Sequence, residues 1–185
     1  MKRPFARSED MEETLVAPAR ETPAEADLAF ERLYRSSRDD VYAYVAGVLR
    51  DRSAAEEVTA AAFERAFRKR GRFDTRRGNA RAWLFGIARN AALDELRRRR
   101  RQAELAAEPA DVAAPFADAL TEGGARRATL IAALAGLEPR ERELVAMKFF
   151  AGLSNAEIAV VLGISESNAG TKLHRVITKL REACQ

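Results

Sequence analysis

The chain has 185 residues, 47% hydrophobic and 32% charged with a net charge of +4, enough apolar content for one medium domain or two small ones. One cysteine, Cys184, and one histidine, His174, exclude an internal disulfide, a cysteine metal cluster and a histidine-rich metal site. No stretch approaches the ~18 apolar residues of a membrane span, and Met1–Asp10 lacks the apolar centre of a secretory signal, so no membrane insertion and a cytoplasmic location are expected.

Met1 to about Glu25 carries Pro4, Pro18, Pro23 and many acids without sustained periodicity, which predicts a disordered acidic tail over residues 1–26. From Asp27 the pattern turns helical, with Leu33, Val41, Tyr44, Val45, Val48 and Leu49 recurring at three- and four-residue steps. Arg50-Asp51-Arg52 breaks it. Ser53 and Glu56 then have the spacing of a capping box, predicting a second helix to about Arg70 with Val58, Ala62, Phe63, Ala66 and Phe67 on its apolar side. Gly71 ends it, and Arg72–Gly78 has the residues of a turn. A third helix is predicted from about Ala80 to Arg101, with Trp83, Leu84, Ile87, Ala91 and Leu96 near one face. The plain reading of Trp83 is a core anchor.

Charge is unevenly placed. Between Glu64 and Arg101, fourteen Lys and Arg stand against four Asp and Glu, whereas Gln102–Ala125 has five acids and no base. Clustered cations are the footprint of a polyanion site, and nucleic acid is the usual polyanion. The bland alternative is a solvated charged helix face.

Gln102–Ala125 is rich in Ala, Glu and Asp and holds Pro109, Pro115 and Gly123-Gly124, a composition suited to a flexible linker. A second domain is predicted from about Arg126. Leu130, Ile131, Leu134 and Leu137 form one helix, and Pro139 opens the next, which carries Leu144, Val145, Met147 and Phe149. Period-two alternation is absent throughout. The expected fold is all-α: two small helical domains, 27–101 and 126–185, joined by the linker 102–125.

Ser154 and Glu157 form another capping box, opening a helix that carries Ile158, Ala159 and Leu162. Gly163 follows, as helices crossing at roughly 90–120° require of their turn. Ile164 plugs the core, and Ser165 caps a helix from about Glu166 to Glu182. Leu173, Val176, Ile177 and Leu180 face inward, leaving Ser167, Asn168, Thr171, Lys172 and Arg175 outside. A polar strip on the N-terminal half of the second helix is where a helix-turn-helix meets base edges and phosphates. An ordinary helical hairpin with a glycine turn is the plain alternative. His174 has no neighbouring nucleophile or carboxylate pair, so no catalytic residue, cofactor or metal is expected, and a nucleic-acid enzyme is the least supported class.

Two stretches carry a family resemblance. Leu137-Glu138-Pro139-Arg140-Glu141-Arg142-Glu143-Leu144, with Gly152-Leu153-Ser154-Asn155-Ala156-Glu157-Ile158-Ala159, resembles region 4 of sigma-70-like factors. Arg81-Ala82-Trp83-Leu84-Phe85-Gly86-Ile87-Ala88-Arg89-Asn90, with Leu93-Asp94-Glu95-Leu96-Arg97-Arg98, resembles region 2. Both occur in family order with only a short linker between them, which resembles the extracytoplasmic-function (ECF) class of RNA polymerase sigma factor. The resemblance implies core RNA polymerase, promoter DNA and an inhibitory anti-sigma factor as partners. It implies polymerase binding by Glu56, Glu57 and Phe63, and −10 recognition by Asn79, Trp83, Asn90, Asp94, Arg97 and Arg98. It assigns −35 recognition to the strip Ser167, Asn168, Thr171, Lys172 and Arg175.

Two departures stand out: Ala60 and Ala61 replace a polar pair on the polymerase-binding helix, and Gly170 stands where the family often has Lys or Arg. The competing reading is a stand-alone helix-turn-helix regulator that binds a palindromic duplex as a dimer without polymerase.

Overall fold

The computed structural model describes residues 22–72, 79–106 and 124–184. Most of the expected tail and most of the expected linker lie outside these residues. Helix α1, Pro23–Leu49, begins inside the segment expected to be tail. The reason is local: the Thr22 hydroxyl accepts the Glu25 N–H, the Glu25 carboxylate accepts the Thr22 N–H at 2.8 Å, and Pro23 fills the first turn. The helix ends at Arg50, which adopts a left-handed conformation with φ 55°.

Helix α2, Arg52–Lys69, is capped by Asp51 rather than by the expected Ser53–Glu56 box. The Asp51 carboxylate accepts the Ala54 N–H at 3.1 Å and an Arg99 guanidinium N–H at 2.8 Å. An ionised cap fixed by a cation from another helix outcompetes a lone serine hydroxyl two residues later. A 3-10 turn, Arg70–Arg72, follows. Helix α3, Ala80–Ala106, is capped by Asn79, whose side-chain oxygen accepts the Arg81 N–H at 2.8 Å.

These three helices pack around Val41, Val45, Leu49, Ala55, Ala62, Phe63, Ala66, Leu84 and Phe85. Alanines on α2 permit close approach, and edge-to-face aromatic pairs complete the core: Tyr34 on Phe63 at 4.8 Å and Tyr44 on Phe85 at 5.7 Å. Trp83 is half-buried against the same core.

The C-terminal half contains α4, Gly124–Ala135, and α5, Pro139–Val145, with Pro139 in the first turn of α5 as expected. Arg142 ties them by donating to the Leu137 carbonyl at 2.9 Å and the Ala135 carbonyl at 3.3 Å. A π-turn, Ala146–Phe150, extends α5. Helix α6, Asn155–Leu162, has the expected Ser154–Glu157 box, and Gly163 leaves it with φ 66°. Ser165 caps α7, Glu166–Ala183. Ile158, Ala159, Leu173 and Val176 fill the angle between α6 and α7.

The two halves do not stand apart. Helices α1 and α3 pack on α5, the π-turn and α6, so that both halves contribute to one continuous core. Gly47, in mid-α1, makes the close approach possible. A Cβ there would lie 3.3 Å from the Ala146 Cβ and 3.4 Å from the Phe150 ring. Phe149, expected among the apolar residues of its helix, is instead 59% exposed, because the wider π-turn rotates it away while Ala146 and Met147 stay buried.

Candidate nucleic-acid interface

The polar strip of α7 lies at the surface as the sequence pattern indicates. Ser167, Asn168, Thr171, Lys172 and Arg175 are all exposed, and the opposite side of the helix is held by buried Ala169, Leu173 and Val176. Ser165 fixes the start of the helix by accepting the Asn168 N–H at 3.2 Å. The C-terminal half is anchored by Lys179, which pairs with Glu141 at 2.7 Å and holds that carboxyl below its ordinary range, helped by the Glu138 N–H. Among the described residues Lys172 and Arg175 carry no ion pair, so their charges face solvent uncompensated. Gly170 is not on this strip. It is half-buried, and a Cβ there would meet the Asn155 amide nitrogen at 3.5 Å. The missing cation at this position is therefore a feature of the α6–α7 contact.

Helix α3 places Asn90, Asp94, Arg97 and Arg98 together on an exposed stretch. Its arginine run is largely neutralised. Arg97 pairs with Asp94 at 3.1 Å, Arg98 and Arg99 share Glu95 at 2.7 and 2.8 Å, Arg99 also reaches Asp51, and Arg100 pairs with Glu104 at 2.9 Å. Hydrogen bonds from Arg98, then Arg99, lower the Glu95 carboxyl against the opposing effect of burial. Asn79 lies apart from this group, eleven residues from Asn90, or roughly 16 Å of helical rise.

On α2, Glu56 and Glu57 are exposed, as a docking surface requires. Phe63 is not. It is 6% exposed beneath Tyr34, so it supports the helix from inside and drops out of the candidate polymerase contacts. Phe67 on the same helix is 43% exposed, with the Arg70 guanidinium 3.7 Å from its ring centre. Sequence periodicity places Phe63 and Phe67 on one side; α1 packs on both, through Tyr34 and Phe30, and the pattern cannot tell that only Phe63 is fully covered.

A second set of contacts joins the two halves, and no local sequence pattern announces it. Glu143, 7% exposed on α5, accepts from Arg89 of α3 at 2.7 Å and from the Tyr44 hydroxyl of α1 at 3.2 Å. Burial pushes the Tyr44 hydroxyl well above the usual tyrosine range, and the Glu143 charge adds to it. Arg81 donates to Asp40 at 2.7 Å and to the Ala151 carbonyl. The Asn79 amide donates to Glu157 at 2.9 Å, so one −10 candidate is held by the helix-turn-helix. Burial pushes the Glu157 carboxyl up, but the Ser154 N–H and hydroxyl, the Arg81 charge and the Asn79 amide together bring it below its ordinary value. Among the described residues no group of three His, Cys, Asp or Glu is placed to hold a metal ion, and no helix is long and apolar enough to cross a membrane.

Comparison with known proteins agrees with this geometry. Residues 33–102 match the family model of sigma-70 region 2, and residues 127–180 match that of sigma-70 region 4. The chain is 33% identical to the ECF RNA polymerase sigma factor BldN of Streptomyces coelicolor, over 97% of this chain and 68% of that protein. It is 35% identical to the RNA polymerase sigma factor CarQ of Myxococcus xanthus, over 83% of this chain and 88% of that one. In fold it matches the sigma factor RpoE of Bartonella quintana, solved in complex with the anti-sigma factor NepR. That match has a TM-score of 0.71 at 20% identity and covers 84% of this chain and 96% of the other.

Proposed function

This chain belongs to the ECF family of RNA polymerase sigma factors, and on that premise we propose how its parts divide the work of promoter recognition. The unit 27–101 binds core polymerase through the exposed face of α2, including Glu56 and Glu57, and reads the −10 element with α3. The candidates there are Asn79, Trp83, Asn90, Asp94, Arg97 and Arg98. The unit 126–185 reads the −35 duplex with α7. The carrying observation is the α7 strip: five exposed polar residues on a capped helix, two of them unpaired cations, beside a glycine turn. The protein works by binding and not by catalysis, in the cytoplasm, where its polymerase is. An anti-sigma factor is the expected inhibitory partner, as in the Bartonella complex.

Reading two elements at once requires the halves to separate. Elements centred near −10 and −35 lie about 25 base pairs apart, or roughly 85 Å at about 3.4 Å per pair. A compact chain of this length has a radius of gyration of only about 16 Å. The packed form is thus a resting state, and polymerase binding opens it. A stand-alone dimeric regulator leaves the region 2 half without a role, so it is the weaker reading.

The test is reconstitution with core polymerase followed by run-off transcription and mapping of start sites. The expected result is a stable complex and initiation at a defined set of promoters. Folded protein that neither joins the polymerase nor directs initiation overturns the proposal.

A further inference from the structure

We propose that Thr171 reads a thymine in the −35 duplex through its methyl group, with Asn168 reading an adenine at a neighbouring base pair. The inference rests on the assignment of α7 as the −35 reader and specifies what that helix recognises.

The argument starts from what each exposed side chain on the strip has left to offer. The Thr171 hydroxyl donates to the Ser167 carbonyl one turn earlier, at 2.9 Å. Its single hydrogen is committed to the helix, so the residue cannot donate to a base acceptor without giving up that bond. Its methyl group carries no such obligation. In the major groove only thymine presents a methyl, and threonine methyls pack against it. Asn168 is exposed; its backbone N–H is engaged by the Ser165 hydroxyl, and its side-chain amide bonds to no described residue. Its amide offers a donor and an acceptor together, the pattern that matches N7 and N6 of adenine.

Position along the helix supports the pairing. Asn168 and Thr171 are three residues apart, about 4.5 Å of rise, against about 3.4 Å between stacked base pairs. Both belong to the first two turns, the part of a recognition helix that reaches base edges. Lys172 and Arg175 follow them along the strip, carry no ion pair among the described residues, and as cations suit phosphates, which position the protein without reading sequence. Gly170 faces α6 and takes no part.

The experiment uses the full chain with core polymerase. A preferred −35 duplex is first selected from a randomised pool. Each thymine in it is then replaced in turn by deoxyuridine, which keeps every hydrogen-bonding group and removes only the methyl. One replacement is expected to weaken wild-type binding about fourfold, the value of one buried methyl-sized group. Thr171→Ser should bind thymine and uracil duplexes equally. Thr171→Val, which keeps a methyl and lacks the hydroxyl, should still discriminate. Asn168→Ala should relax the preference for adenine at one adjacent pair. The proposal is overturned if no uracil replacement affects the wild type, or if Thr171→Ser discriminates as the wild type does. Lys172→Ala separates this failure from failure of the underlying assignment: if it still lowers the salt dependence of duplex binding, α7 is the reader and only the methyl contact is refuted. If it has no effect, the assignment itself falls.

Discussion

Glu143→Ala is expected to loosen the C-terminal half from the N-terminal half. The carboxylate is 7% exposed and accepts from Arg89 at 2.7 Å and Tyr44 at 3.2 Å, both from the other half. Removing one partner of a buried ion pair typically costs about 3–5 kcal/mol, because the other charge is left behind. The Arg89 side chain keeps 27% of its exposure, which brings the expected loss down to about 2–3 kcal/mol. The orphaned Tyr44 hydroxyl, fully buried, adds about 1 kcal/mol. Opening the interface rehydrates Arg89, so the penalty falls on the closed state. A loss of about 3 kcal/mol multiplies the open-to-closed ratio by roughly 150. Cys184, an exposed free thiol, offers one dye site, and a cysteine introduced at exposed Lys69 offers the other. Energy transfer should fall in Glu143→Ala and the scattering radius should rise, while Tyr44→Phe gives a much smaller change. In a double-mutant cycle, Glu143→Ala with Arg89→Ala should lose less than the two single variants added together. Unchanged transfer and unchanged melting in Glu143→Ala would refute the assignment of this triad as the lock.

The same interface makes Gly47→Leu a wedge: its Cβ would already lie 3.3 Å from Ala146, so the longer side chain should lower energy transfer between the halves. Gly170→Ala should stabilise the chain by up to about 1 kcal/mol, since Ala is the better helix former and the new Cβ meets Asn155 at ordinary packing distance. Calorimetry should show a rise in Tm of about 2–4 °C. Replacing Lys172 or Arg175 by Ala should reduce the salt slope of duplex binding by about one for each phosphate no longer neutralised, and an unchanged slope means that the side chain does not touch phosphate. Glu95, Glu141 and Glu157 are all held below the ordinary carboxyl value of 4.5, so the unfolded chain takes up protons first as pH falls. Their contribution is complete above that value and disappears through the acid range below it, so Tm should drop there, and Glu157→Gln should flatten part of the slope.

How much of the fold and site is legible in the sequence depends on distance along the chain. The caps at Ser154 and Ser165 and the first-turn Pro139 are local signals acting on adjacent backbone, and the structure contains all three. The start of α2 differs from the local pattern because Asp51 wins through Arg99, forty-eight residues away, which no local pattern reveals. The start of α1 is local, in Thr22 and Glu25, but is hidden by a proline- and acid-rich composition. Phe63 and Phe67 share a helix face and both pack on α1, and only the extent of their burial in the fold separates the buried ring from the half-open one. The Glu143 triad joins positions separated by 54 and 99 residues. Each of its members reads alone as an ordinary surface or core residue.

The charge pattern also changes meaning once partners are known. Read along the chain, Arg97–Arg101 is a bare cationic run waiting for a polyanion. In the fold, four of these arginines already have carboxylate partners, one of which, Asp51 at the start of α2, links the run to the body of the protein. The exposed pairs, Arg97–Asp94 and Arg100–Glu104, contribute only about 0–1 kcal/mol each, so a phosphate can displace those carboxylates at small cost. If α3 binds DNA as proposed, these acids compete with phosphate without abolishing binding, and they weaken indiscriminate adsorption of the free sigma factor to duplex. On α7 the opposite arrangement holds: among the described residues Lys172 and Arg175 carry no ion pair, and the proposed reading face stays exposed in the packed form. If α7 and α3 read the −35 and −10 elements as proposed, the two surfaces have different thresholds for DNA: α7 is free to bind at once, whereas α3 has first to release its local carboxylates and the hydrogen bond between Asn79 and Glu157. On the proposed opening by polymerase, that bond breaks and α3 meets a strand held in place, where local concentration replaces intrinsic affinity.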